Sequence, residues 1–276
     1  MDTDYTHISV ILDRSGSMQS MATDVVGGFD EFIKDQKKEE GKATISLVQF
    51  DDMYEVVHDF IDIKDMEGLK LSPRGSTALL DAMGQTLEET RVKVLEMDSD
   101  DCPSKVIFVF ITDGEENAST KYKRKEIFTM IKDLKSPDRG DQINWEFVFI
   151  GANQDAIREG GGYGIRSKAS MTFDASGAGA TAAFSSLSKG ISTYRSCSFE
   201  DAAYEFDDSD YETQEKLLGS KGKSDLGSSE LTKGVARMFG TRHKHSSGKS
   251  KALKGIIPTS IPDLDDDIVH IEEDDD

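Results

Sequence analysis

Five short apolar runs limit what this chain can fold into more than any other feature: residues 7–12, 44–50, 54–61, 105–112 and 145–151, none longer than 8 residues. They are rich in Ile, Val and Phe, side chains that pack well on a pleated surface, so each reads as a β-strand. Between them apolar residues recur at helical spacing: Val26, Phe29, Phe32 and Ile33, then Leu80, Met83 and Leu87, then Ile127, Met130, Ile131 and Leu134. A last stripe of Ala180, Ala183, Phe184, Leu187, Ile191 and Tyr194 closes the series. Such stripes mark amphipathic helices, each with one face to lay on a sheet.

Strand and helix in alternation predict an α/β fold, a doubly wound and mostly parallel sheet with right-handed crossovers and helices on both faces. The unbroken apolar stretches at 106–111 and 147–150 suit strands covered on both sides. Only Asp51-Asp52-Met53 separates the second and third strands. That gap is too short for a crossover, so these two strands should form an antiparallel hairpin at one edge. Gly160-Gly161-Gly162-Tyr163-Gly164 lacks the spacing of a phosphate cradle and reads as a loop. Trp145, at the head of a core strand, reads as packing.

Charge divides the chain. Its formal net charge is −20, and residues 200–276 hold 19 Asp and Glu against 10 Lys and Arg, with only 15 Leu, Ile, Val or Phe among them. That is near the composition of disordered segments, which places one folded domain at 1–199 and a charged, disordered tail at 200–276. Within the tail, 233–254 carries seven basic residues and no acid, and 263–276 carries nine acids and no Lys or Arg. Leu231, Val235, Met238 and Phe239 have helical spacing, but Gly234 interrupts a stretch too short to hold a helix alone.

An acidic body disfavours nucleic acid and anionic lipid as partners. No apolar run approaches the ~20 residues needed to span a bilayer. The opening Met1-Asp2-Thr3-Asp4 has neither a basic nor an apolar leader region, and Cys102 and Cys197 are too few for a disulfide framework. A cytoplasmic setting is the expectation, or a virion if the chain is phage-encoded.

In open parallel sheets ligands bind beyond the carboxyl ends of the strands. The first strand ends in Asp13-Arg14-Ser15-Gly16-Ser17, the fourth in Thr112-Asp113-Gly114, and Gly75-Ser76-Thr77 precedes a helix starting near Ala78. Two carboxylates and three hydroxyls form an all-oxygen donor set, suited to a hard divalent cation rather than to zinc or copper. Mg²⁺ is the natural occupant, with Mn²⁺ or Ca²⁺ as substitutes. Ser15, Ser17 and Thr77 would ligate it directly, and Asp13 and Asp113 would bind it or orient its waters. An ion with mostly neutral ligands attracts a carboxylate from another molecule.

This pattern, Asp13-x-Ser15-x-Ser17 followed by Thr77 and Asp113, resembles the metal-ion-dependent adhesion site of von Willebrand factor type A (vWA) domains, and the resemblance extends over roughly residues 5–196. Stand-alone domains of this kind occur in bacterial and phage genomes. The resemblance implies a Rossmann-like vWA fold and a non-enzymatic module that binds a protein's Glu or Asp through a shared Mg²⁺. Related domains serve as adaptors for AAA+ ATPases, which makes such an ATPase a candidate partner. The acidic stretch 263–276 is a candidate internal ligand. The alternative is a structural component, for example of a phage particle, using the metal face or the tail for subunit contacts. Glu115 and Glu116 should be solvated, and Asn117 and Ser119 should cap or shape their loop.

Enzymatic readings fit poorly. A haloacid-dehalogenase phosphotransferase needs an aspartate where Ser15 stands. A serine hydrolase needs a histidine in the crevice, yet of the five histidines only His7 and His58 fall in the body, neither of them after a strand.

Overall fold

In a computed structural model, residues 2–221 are described, apart from Asp141 and Asn153. They all lie in one compact unit, residues 1–228. The strands are β1 (Asp2–Asp13), β2 (Ala43–Phe50), β3 (Tyr54–Asp62), β4 (Pro103–Thr112), β5 (Asn144–Ala152) and β6 (Ser170–Phe173). The helices are α1 (Ala22–Gln36), α2 (Leu79–Leu95), α3 (Arg124–Leu134), α4 (Ala156–Gly162), α5 (Gly177–Ser196) and α6 (Asp208–Lys221).

The sheet order is β3-β2-β1-β4-β5-β6. Every pairing is parallel except β2–β3, the edge hairpin that the short 51–53 gap implied. The chain moves outward from β1 through α1 to β2, then returns past β1 through α2 to β4. Right-handed crossovers in opposite directions put α1 and α2 on opposite faces. Accordingly α1 packs against α5, and α2 against α3. All ten residues of β4 are buried, and Phe108 stacks on Phe147 at 5.3 Å and on Trp145 at 6.1 Å. No helix among the described residues is long and apolar enough to cross a membrane.

Three features depart from expectation. First, β6 extends the sheet by four residues. Second, Gly160-Gly161-Gly162 is the last turn of α4, not a loop. Asp155 caps that helix through Arg158 N at 3.1 Å, and a Cβ on Gly160 would sit 2.4 Å from Ser170 Oγ, so the missing side chain lets α4 lie against β6. Third, packed structure continues past 199. Ala202, Tyr204 and Phe206 are buried, and α6 is tied back to the body by Gln214, whose Nε2 donates to Gly179 O at 3.1 Å. Averaged over an acidic segment, three apolar side chains vanish, yet two buried aromatics suffice to dock a strap. The tail features expected at 231–239, 233–254 and 263–276 lie outside the described residues.

Candidate metal centre

The sheet order reverses between β1 and β4, and the carboxyl ends of these strands open the crevice where a doubly wound sheet binds its ligand. Asp13 closes β1. Its Oδ1 accepts from Ser15 N at 2.6 Å, which folds the chain back, and its Oδ2 accepts from Thr112 Oγ1 at 2.6 Å, which ties β1 to β4. Ser15 Oγ lies 3.0 Å from Ser17 Oγ, and Ser17 Oγ donates to Asp113 Oδ1 at 2.6 Å. A Cβ on Gly114 would meet Thr77 Oγ1 at 3.1 Å and Ser17 Oγ at 3.5 Å, so Thr77 reaches the same spot. All five residues expected from the sequence therefore converge. Asp13, Ser15 and Thr77 are buried, Asp113 is half-buried and Ser17 is exposed.

Burial pushes the Asp13 carboxyl up to about 6, against the opposing hydrogen bonds from Thr112 and Ser15. It raises Asp113 as well, although Ser17 donates to that carboxylate. Among the described residues neither carboxylate has an ion-pair partner, and no three His, Cys, Asp or Glu side chains gather as a metal cluster. Arg14, between Asp13 and Ser15, turns away from the site. Two carboxylates without a counter-charge, beside three hydroxyls and no nitrogen or sulfur donor, fit a hard divalent cation.

A second group of charges, not anticipated from the sequence, braces these loops. Asp51, fully buried just past β2, accepts from Arg14 Nε at 3.0 Å, Arg74 Nε at 2.8 Å and Met53 N at 2.6 Å. Burial alone would raise its carboxyl, but hydrogen bonds from Arg74 and Met53 and the charge of Arg14 outweigh burial and hold it below the usual carboxylate range. Arg14 also pairs with Glu55. The backbone completes the brace, with Arg74 N donating to Arg14 O (2.8 Å), Gly16 N to Gly75 O (3.2 Å) and Ala78 N to Asp51 O (2.9 Å). Gly75 is required there: its φ is +67°, and a Cβ would fall 2.1 Å from Asp52 Oδ1.

Glu116 also departs from expectation. Rather than being solvated, it accepts from Leu80 N at 2.9 Å, Ala118 N at 2.9 Å and Ser119 N at 2.7 Å, pinning its loop to the first turn of α2. Asn117 and Ser119 shape that loop as expected, accepting from Thr77 N and Asp81 N, each at 3.0 Å. Glu115 is exposed. His7 is buried within β1 and stacks on Phe60 with ring centroids 3.5 Å apart.

A mostly parallel α/β sheet with one antiparallel edge strand and helices on both faces is a Rossmann-like fold of the vWA type. Solved structures share it. The chain is similar to the pilus adhesin SpaC of Lactobacillus rhamnosus GG at 14% identity, with a TM-score of 0.52 over 68% of this chain and 30% of that one. It is similar to the mussel byssus proximal thread matrix protein 1 with a zinc-occupied MIDAS motif at 16% identity (TM-score 0.48, 68% and 46% covered). It also matches a von Willebrand factor type A protein from Catenulispora acidiphila at 14% identity (TM-score 0.44, 67% and 42% covered). This chain thus spans less than half the length of these structures, and the likeness is one of fold. No protein-family model and no curated protein matches the sequence.

Proposed function

We propose that this chain is a metal-dependent protein-interaction module, in which Asp13, Ser15, Ser17, Thr77 and Asp113 hold Mg²⁺ and the ion accepts a Glu or Asp side chain from a partner protein. The observation that carries this reading is the pair of uncompensated carboxylates set among three convergent hydroxyls at the switch point of the sheet. Both Asp13 oxygens already accept hydrogen bonds, so Asp13 suits orienting metal-bound water, and the hydroxyls suit direct contact. Neutral direct ligands leave the ion's charge available to an incoming carboxylate. The same fold in a pilus adhesin supports an interaction role over a catalytic one.

The test uses the full chain and a peptide of residues 263–276 as an acidic probe. Binding should require Mg²⁺, disappear with chelator, and be lost when the peptide's carboxylates are replaced by amides. Equal binding with and without metal would overturn the proposal.

A further inference from the structure

At the opposite end of the sheet lies a cavity of about 360 Å³. Ala43 on its wall pairs with Thr6 at the start of the β1–β2 ladder, while Asp13 pairs with Phe50 at the finish. Seven residues of strand therefore separate cavity and metal centre, roughly 23 Å at ~3.3 Å per residue.

The wall of this cavity has the wrong sign for its protein. Lys37, Lys42, Lys64 and Arg195 face Glu39 and Asp62, an excess of two positive charges in a chain of net −20. Arg195, from the last turn of α5, is the most telling of these, being only 7% exposed. Its Nη1 donates to Gln36 O at 2.8 Å and Gln36 Oε1 at 3.1 Å, and its Nη2 donates to Glu40 O at 3.2 Å and Gly41 O at 3.4 Å. All four acceptors are neutral, none engages the Nε–H, and no carboxylate among the described residues lies within ion-pair distance. Burial pulls the Arg195 pKa down, and the charge of Glu39 on the same wall offsets that only in part.

The site is also stiff. Gln36 Nε2 is itself fixed by Ser188 O at 3.0 Å and Ser192 Oγ at 3.0 Å, locking α1 to α5 behind the guanidinium. At the rim, Lys37 Nζ is anchored on Met66 O at 2.7 Å and Lys42 Nζ lies 4.2 Å from the Tyr5 ring centre. Lys64 is exposed and its ammonium makes no hydrogen bond or ion pair with any described residue. A preformed cavity with a buried guanidinium in its wall and three ammonium groups around it matches a phosphate ester, whose charge of about −2 near neutral pH equals the surplus of the wall. The volume falls within the range of ligand sites, ~300–1,000 Å³, leaving room for an organic moiety beyond the phosphate.

We propose that this cavity, lined by Lys37, Lys42, Lys64 and Arg195, binds a small organic phosphate of about mononucleotide size, independently of the metal centre.

The full chain, free of divalent metal and at low ionic strength, would be titrated with AMP, inorganic phosphate and citrate by calorimetry. AMP should bind with a Kd of ~1 mM or tighter, and inorganic phosphate more weakly. The double variant Lys42→Glu/Lys64→Glu, at two exposed positions, should keep the wild-type melting temperature and lose at least ~10-fold in AMP affinity, as expected for reversing charge at a cationic site. Asp13→Ala should leave AMP binding unchanged. Three results would overturn the proposal: no heat with AMP or phosphate up to ~10 mM, AMP binding undiminished in the double variant, which would assign it to the basic stretch 233–254, or citrate binding more tightly than AMP.

Discussion

Replacing Asp51 by Asn keeps shape and volume but removes the one negative charge shared by Arg14 and Arg74. Asp51 is fully buried, and the Arg14 side chain is 6% exposed, so that pair is a buried one and the loss of one partner costs ~3–5 kcal/mol. Two features reduce this cost. The Glu55 carboxylate remains beside Arg14, although it is 54% exposed, and the Asn carbonyl still accepts from Met53 N. The bond to Arg74 adds little, because that guanidinium is solvated. A net loss of about 2–4 kcal/mol follows, equivalent to roughly 5–12 °C in Tm for a domain of this size. Melting should be followed by circular dichroism in chelator, so that loss of metal binding does not add to the shift. The same variant should bind Mg²⁺ at least ~10-fold more weakly, because Arg14 and Arg74 flank the loops that carry Ser15, Ser17 and Thr77 and a small misplacement of ligands costs heavily. Glu55→Gln, the control, should change neither measurement appreciably. An Asp51→Asn protein that melts within ~2 °C of wild type and binds Mg²⁺ normally would refute the claim that this charge braces the site.

Other consequences can be checked as directly. Burial holds the His7 pKa down at about 3, so the folded protein keeps the ring neutral while the unfolded chain protonates it below about pH 6.5. The stability this contributes is complete above 6.5 and declines as pH falls, by about 2 kcal/mol at pH 5. Urea midpoints of wild type and His7→Gln should therefore diverge in slope between pH 7 and 5, and parallel profiles would contradict the assignment. Glu116→Ala frees three backbone N–H groups at once and should cost ~1–2 kcal/mol, as loss of a helix cap does, whereas Glu115→Ala should be silent. Tyr204 is fully buried between the strap and the body, so Tyr204→Ala should cost ~3–5 kcal/mol in chemical denaturation, and a chain cut after residue 199 should be less stable than one cut after 221. Equal stability of the two fragments would return the boundary to 199.

The legible parts of this fold are those in which one period dominates. The runs at 105–112 and 145–151 need no context, because a strand covered on both faces is apolar along its centre, as β4 is from Val106 to Ile111. By contrast, β6 is four residues long, and its pattern is shorter than any period test can use. The helix α4 hides behind three glycines of low helix propensity, of which Gly160 makes the close approach to Ser170 and Phe149 that only a missing side chain permits. At the metal centre, Asp13, Ser15, Ser17, Thr77 and Asp113 are legible because the strand-end rule and the motif select the same positions. Asp51 obeys the same rule, standing just past the carboxyl end of β2, but Asp51-Asp52-Met53 also makes an ordinary hairpin turn, and nothing local announces Arg14 and Arg74 as its partners. Glu116 is similar: beside two N–H groups of its own loop it accepts from Leu80 N, 36 residues away in α2, a pairing set by the tertiary fold.

The central claim is that a divalent cation sits among Asp13, Ser15, Ser17, Thr77 and Asp113. Calorimetric titration of Mg²⁺ into the metal-free full chain, with Asp13→Ala/Ser15→Ala in parallel, tests it most directly. The account predicts saturable binding to one site in the wild type, no binding in the variant, and a rise in Tm with Mg²⁺ in the wild type alone. A wild-type chain that takes up no divalent cation, or a double variant that binds as the wild type does, would contradict it.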